Sequence, residues 1–136
     1  MGRPALIAVV DTNCLIDFLA DRPGQERFLT ALRRLIAHDN EFVVPLLVAV
    51  EIRAGVDRSE HLAFDRLLDV TRPRVRVSLP DLALAYLAVD LRRERRLTLP
   101  DAFVLATALA EGADVLLSRD ARLRAEGGAL GIPPMP

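Results

Sequence analysis

The sequence predicts an α/β domain, a parallel sheet with helices on both faces, and three observations carry that prediction. Short strand-like runs stand at residues 5–10, 41–44, 75–78 and 114–118, and the first, ALIAVV, has the continuity of a strand covered on both faces. Between them lie segments with apolar residues at helical spacing, each long enough for the crossover that parallel strands require. No linker, repeat or low-complexity block interrupts the 136 residues, so residues 1–136 read as one domain.

The elements follow in order. ALIAVV (5–10) is the first strand, and a short helix from about Asn13 to Ala20 ends at DRPG. GQERFLTALRRLIAHDN sets Phe28, Leu29, Leu32, Leu35 and Ile36 opposite its arginines, an amphipathic helix. EFVV (41–44) is a second strand closed by Pro45. LLVAVEIRAGV reads as a mostly buried helix, SEHLAFDRLLDV as an amphipathic one, and VRVS (75–78) as the third strand. PDLALAYLAVDLRRERR is a helix with Leu82, Ala85, Tyr86 and Val89 turned inward and a basic last turn. DAFVLATALAEG is a buried helix stopped by Gly112, and DVLLS (114–118) is the fourth strand. The tail GGALGIPPMP reads as weakly structured with room for one edge strand, so the sheet has four to five strands.

Composition excludes several classes of function. At 51% hydrophobic residues the chain can build a real core, yet no apolar stretch approaches the roughly 18 residues a membrane span needs. The start MGRPALIAVV carries no cleavage site for export, so a cytoplasmic protein without a membrane partner is expected. The single cysteine, Cys14, allows neither an internal disulfide nor a thiolate cage and reads as a small hydrophobe. All 18 basic residues are arginines. Without lysine there is no phosphate-loop lysine, no Schiff base and no lysine-dependent phosphatase or phosphoreceiver site. The turn DTNC after the first strand contains no glycine, which removes a dinucleotide fingerprint. His38 and His61 sit on amphipathic segments and read as surface residues.

Ligands of an open parallel sheet bind at the carboxyl ends of its strands, so acids placed there are candidates for chemistry. Asp11 ends the first strand, Glu51 lies in the helix after the second, Asp101 opens the helix before the fourth, and Asp120 follows the fourth. Each has a plainer explanation. Asp11 would also cap the helix beginning near Asn13, Asp101 stands three residues after Thr98 in a capping-box spacing, and Asp120 would serve as a turn or cap residue. Glu51 resists such an account, because its neighbours in VPLLVAVEIRAGV are apolar and Arg53, two residues on, faces elsewhere on a helix. Clustered acids need a positive charge, and hard oxygen ligands suit Mg²⁺ or Mn²⁺. The first strand then delivers Asp11 to the sheet edge to hold an ion, with Asn13 as a neutral brace.

VVDTNCLIDFL, PLLVAVEIRAG and LPDAFVLATALAEGADVLLSRD together resemble the PIN-domain ribonucleases, and the small size is similar to that of VapC-type toxins. The resemblance runs from Ile7 to Asp120. It implies a three-layer α/β/α sandwich and a metal-dependent endoribonuclease acting on RNA. Asp11, Glu51, Asp101 and Asp120 then correspond to the acidic catalytic and metal-binding quartet, and Asn13 and Ser118 to polar supporting positions. An ion there would lower the pKa of a bound water for in-line attack on phosphorus. A cognate antitoxin that blocks the site and a homodimer are implied as well. Of the basic clusters RPRVR, LRRERR and RDARLR, the last adjoins Asp120, which gives Arg119 and Arg122 the best claim on substrate phosphate. The competing reading is a PIN-like binding module without catalysis, its acids occupied by a partner's arginine. The chain lacks the aromatic residue such proteins carry after the fourth acid.

Overall fold

The computed structural model describes residues 6–20, 30, 33–35, 38, 40–55, 58–69 and 74–134. Strands β1 (Ile7–Val10), β2 (Glu41–Pro45), β3 (Arg74–Ser78) and β4 (Val115–Leu117) form one parallel sheet in the order β3-β2-β1-β4. Helices α1 (Thr12–Ala20), α2 (Leu46–Gly55), α3 (Arg58–Asp69), α4 (Leu82–Arg95), α5 (Leu99–Ala110) and α6 (Ala121–Ala129) complete a three-layer α/β/α arrangement. β1, β2 and β4 are buried as their apolar residues require: Ala8, Val9, Val43, Val44, Leu116 and Leu117 exclude solvent from the sheet centre. None of the described helices is long and apolar enough to cross a membrane.

α5 is apolar on nearly every side and is correspondingly buried, packing on β1 and β2 and along α4. Its end is a Schellman cap: the Ala113 amide donates to the Ala108 carbonyl at 2.9 Å and the Gly112 amide to Leu109 at 3.2 Å. Gly112 takes φ +62°, which explains the stop at that glycine.

Three sequence expectations are corrected. The stripe assigned to the inside of α4 faces outward, with Leu82 65% and Tyr86 62% exposed, while Leu84, Ala88 and Leu91 face the core. LALAYLAVDL is apolar along two stripes, so periodicity cannot choose between them; the stripe with the small Ala88 lets α4 approach α5 closely, and the other leaves the Tyr86 hydroxyl in water. The tail expected to be weakly structured is helical over Gly127–Ala129, the end of α6. Its glycines hide a helix whose close approach to β4 needs one of them: a Cβ on Gly127 would stand 3.1 Å from Leu116 Cδ2 and 3.3 Å from the Ile132 carbonyl. His61 is half-buried, with its Nε2 enclosed and unbonded, rather than on the surface. The fifth strand is reduced to a single parallel bridge between Pro134 and Leu116. Of the amphipathic helix expected over 24–40, Thr30 and Arg33–Leu35 are helical, and Phe28, Leu29, Leu32 and Ile36 lie outside the described residues. Arg72 of the RPRVR cluster lies outside them too.

From β1 the sheet grows toward β2 and β3 on one side and β4 on the other. A crevice therefore opens past the carboxyl ends of β1 and β4, the place where Asp11 and Ser118 emerge.

Candidate active site

Asp11 is still tied to the sheet, its amide donating to the Leu117 carbonyl at 2.8 Å, and its own carbonyl takes the first helical bond of α1 from Leu15. The side chain does more than cap. Oδ1 accepts the Thr12 amide at 2.8 Å, and Oδ2 accepts the Ser118 hydroxyl at 2.7 Å and the Asn13 amide group at 3.4 Å. Asn13 and Ser118, the two polar residues singled out in the sequence, thus both donate to Asp11. Burial is the main cause that pushes the Asp11 carboxyl above the usual aspartate range, against the Ser118 and Thr12 donors, and the charges of Asp101 and Glu51 push the same way.

Glu51 is half-buried on α2, less enclosed than its apolar neighbours imply, and its Oε2 accepts the Thr12 hydroxyl at 2.7 Å. Thr12 therefore bridges Asp11 and Glu51, a role that sequence reasoning missed. The signal was the residue wedged between Asp11 and Asn13, but its partner lies 39 positions away.

Asp101 stands in the first turn of α5, held there by Thr98, whose hydroxyl accepts the Asp101 amide at 3.3 Å. Half of the expected capping box is thus present. The Asp101 carboxyl is also pushed up, first by burial and then by the charges of Asp120 and Glu51, with Thr98 and Arg122 opposing. Asp120 caps α6, its Oδ1 accepting the Leu123 amide at 2.9 Å, so the cap explanation describes its hydrogen bond while its charge still reaches Asp101. The four acids share one electrostatic neighbourhood.

The two arginines differ. Arg122 donates to the Arg95 carbonyl at 2.8 Å and its charge acts on Asp101, so it borders the acids. Arg119 turns instead to Asp17, 2.5 Å from Nε to Oδ2. Asp17 was not singled out in the sequence, where it reads as one polar position of a short helix. Cys14 is buried and its thiol is pushed far up, chiefly by burial, in keeping with an inert packing role.

The donors available to a cation are hard oxygens, and two of them, on Asp11 and Asp101, carry negative charge that burial makes unfavourable. That chemistry fits Mg²⁺ or Mn²⁺. Among the described residues no three His, Cys, Asp or Glu side chains are grouped closely enough to hold an ion together. An ion here would be held by one or two carboxylates and water, the mode Mg²⁺ favours.

A parallel sheet of order β3-β2-β1-β4 with acids at the β1 and β4 ends defines a class, and residues 8–127 match the PIN domain: the chain belongs to the PIN-domain family. Its fold is similar to a chain of VapBC2 from Rickettsia felis bound to a DNA fragment from their promoter, at TM-score 0.70 and 16% identity over 96% of this chain and 98% of that one. A toxin–antitoxin complex from Klebsiella pneumoniae is similar at TM-score 0.68 and 27% identity, covering 92% and 94%. VapC20 of Mycobacterium tuberculosis, a sarcin–ricin loop cleaving toxin, is similar at TM-score 0.63 and 21% identity, covering 88% and 95%. The VapC resemblance read from the sequence is thus matched among solved structures. No curated protein sequence matches the chain.

Proposed function

We propose that the chain is a Mg²⁺- or Mn²⁺-dependent endoribonuclease that hydrolyses RNA phosphodiester bonds, and that it is the toxin of a type II toxin–antitoxin pair in the cytoplasm. The observation that carries this reading is the Asp11 carboxyl, buried at the switch point of the sheet and feeling the charges of both Glu51 and Asp101. One or two of the Asp11, Glu51 and Asp101 carboxylates, with water, would hold the ion, and the remaining acids, Asp120 beside Asp101 among them, would contribute charge. A bound divalent ion supplies the countercharge these acids need, lowers the pKa of water and offsets charge on the leaving oxygen. Ser118 and Thr12 keep the Asp11 oxygens aimed and favour their ionised form. Arg122, whose charge reaches Asp101, would meet a substrate phosphate there. The toxin–antitoxin neighbours support a cognate antitoxin that covers the crevice, and the VapC resemblance supports a homodimer.

The loose spacing of the acids favours one competitor, a binding module whose acids meet a partner's arginine. Cleavage of RNA titrated with Mg²⁺ and Mn²⁺ separates the two. The wild type should cut only with a divalent ion, and Asp11→Asn and Glu51→Gln should fold normally yet lose more than about a hundredfold in rate. Full activity in both variants, or none in the wild type at any ion concentration, rejects the nuclease.

A further inference from the structure

Asp17 is only 1% exposed, yet it carries no part of the acidic site. A carboxylate so far from water needs a charged partner, and Arg119 supplies one: Nε lies 2.5 Å from Oδ2, and Nη2 donates to Oδ1 at 3.3 Å. Asn13, one turn earlier on the same face of α1, accepts the Arg119 main-chain amide at 3.1 Å. One stripe of α1 therefore grips Arg119 by both backbone and side chain. Arg119 is the middle residue of the junction that joins β4 to α6. On one side of it, Ser118 donates to Asp11 at 2.7 Å and accepts the Asp120 amide at 3.0 Å. On the other, Asp120 caps α6 and sets its charge against Asp101.

We propose that the Asp17–Arg119 ion pair is a positioning device that fixes the Ser118–Asp120 junction, keeping Ser118 on Asp11 and Asp120 beside Asp101. Arg119 is then a strap from α1 to the acidic site and not a hand for RNA phosphate. Its consequence for cleavage rests on the nuclease reading above; its structural part does not. A partner that orients a ligating group without touching the ion is worth about 10–100-fold in metal affinity or activity when removed.

The test uses Asp17→Asn, Arg119→Gln, their double variant and Arg119→Lys in the full chain. Hydrogen exchange of the metal-free protein should quicken about tenfold at the Arg119 and Asp120 amides in either single variant, with no further gain in the double, because both remove one interaction. Amides of β1 serve as the control for global opening, and Arg119→Lys, which keeps the charge, should recover part of the protection. Mg²⁺ binding by calorimetry, without RNA, should weaken about 10–100-fold in Asp17→Asn, and cleavage should need correspondingly more ion, while the salt dependence of RNA binding stays as in the wild type. Unchanged exchange at the two amides in Asp17→Asn overturns the proposal. So does a flattened salt slope in Arg119→Gln with wild-type ion binding in Asp17→Asn, which would assign Arg119 to phosphate. If the wild type neither binds ion nor cuts RNA, the nuclease reading fails, and the exchange rates still decide the strap.

Discussion

Water is almost excluded from the Asp11 carboxyl, and the charges of Asp101 and Glu51 add to the penalty of ionising it, so its folded-state pKa stands above the ordinary aspartate value of 3.8. A raised value means the folded chain holds the proton more tightly than the unfolded one. Ionised Asp11 therefore subtracts from stability at neutral pH, and the loss is relieved as pH falls through the folded pKa. Asp11→Asn keeps the shape and removes the charge. The metal-free variant should melt higher than the metal-free wild type at pH 7, whereas Mg²⁺ should raise the wild-type midpoint and leave the variant's unchanged. Scanning calorimetry with and without the ion reads both effects, and a variant that melts lower without the ion contradicts the assigned burden on Asp11. Asp11, Glu51 and Asp101 stood out because each interrupts or ends an apolar run, and Asp120 because it follows a strand end, all local signals. Thr12 and Asp17 were not, since their roles lie in Glu51 and Arg119, partners 39 and 102 positions away that no local spacing announces. Arg119 was legible as a charge near Asp120 but not as a charge already matched.

Strands and helices could be read wherever one pattern dominated. β1 and α5 are apolar on nearly every side and mostly buried, so composition alone places them. α4 offers two apolar stripes, and the choice between them belongs to its packing on α5 rather than to its sequence. Contacts between elements are likewise a tertiary matter, as Arg76 shows. From β3 it meets Glu41 at the start of β2 and Glu111 at the end of α5, and Ser78 adds a bond to Glu111 at 3.0 Å. The Arg76 hydrogen bond is the main cause that holds the Glu111 carboxyl below its ordinary value of 4.5. A depressed carboxylate contributes stability that is complete above the unfolded value and is lost as pH falls through the folded one. The Arg76 side chain is 44% exposed, so solvent screening limits the network to about 0.5–1 kcal/mol. Arg76→Gln should cost about that much at neutral pH, and urea unfolding at several pH values should find the difference from wild type shrinking below pH 4.5. A difference that persists undiminished in acid would assign the effect to packing of the Arg76 stem.

At the scale of the molecule the sandwich followed from alternation of strand and helix, and the crevice from the strand order that alternation permits, whereas α6 was obscured by Gly127 and Gly128. The inverted face of α4 has a consequence at this scale. Leu79, Leu82, Tyr86 and Val89 are 75%, 65%, 62% and 40% exposed, and the last three recur at helical spacing on one outward stripe. Single exposed apolar residues are ordinary, but an aligned set with an aromatic at its middle is the composition of an interface. The homodimer implied by the VapC resemblance supplies an occupant, because a two-fold axis lets such a stripe meet its own copy. Burying each exposed aliphatic side chain there would contribute up to about 1.5–3 kcal/mol. Leu82→Glu with Tyr86→Glu alters none of Leu84, Ala88 or Leu91, which hold α4 to the core. Sedimentation equilibrium should therefore find a wild-type dimer and a folded, monomeric double variant with unchanged far-ultraviolet circular dichroism. A double variant that still dimerises moves the interface to another surface, and a wild type that sediments as a monomer rules the stripe out as a contact between two copies.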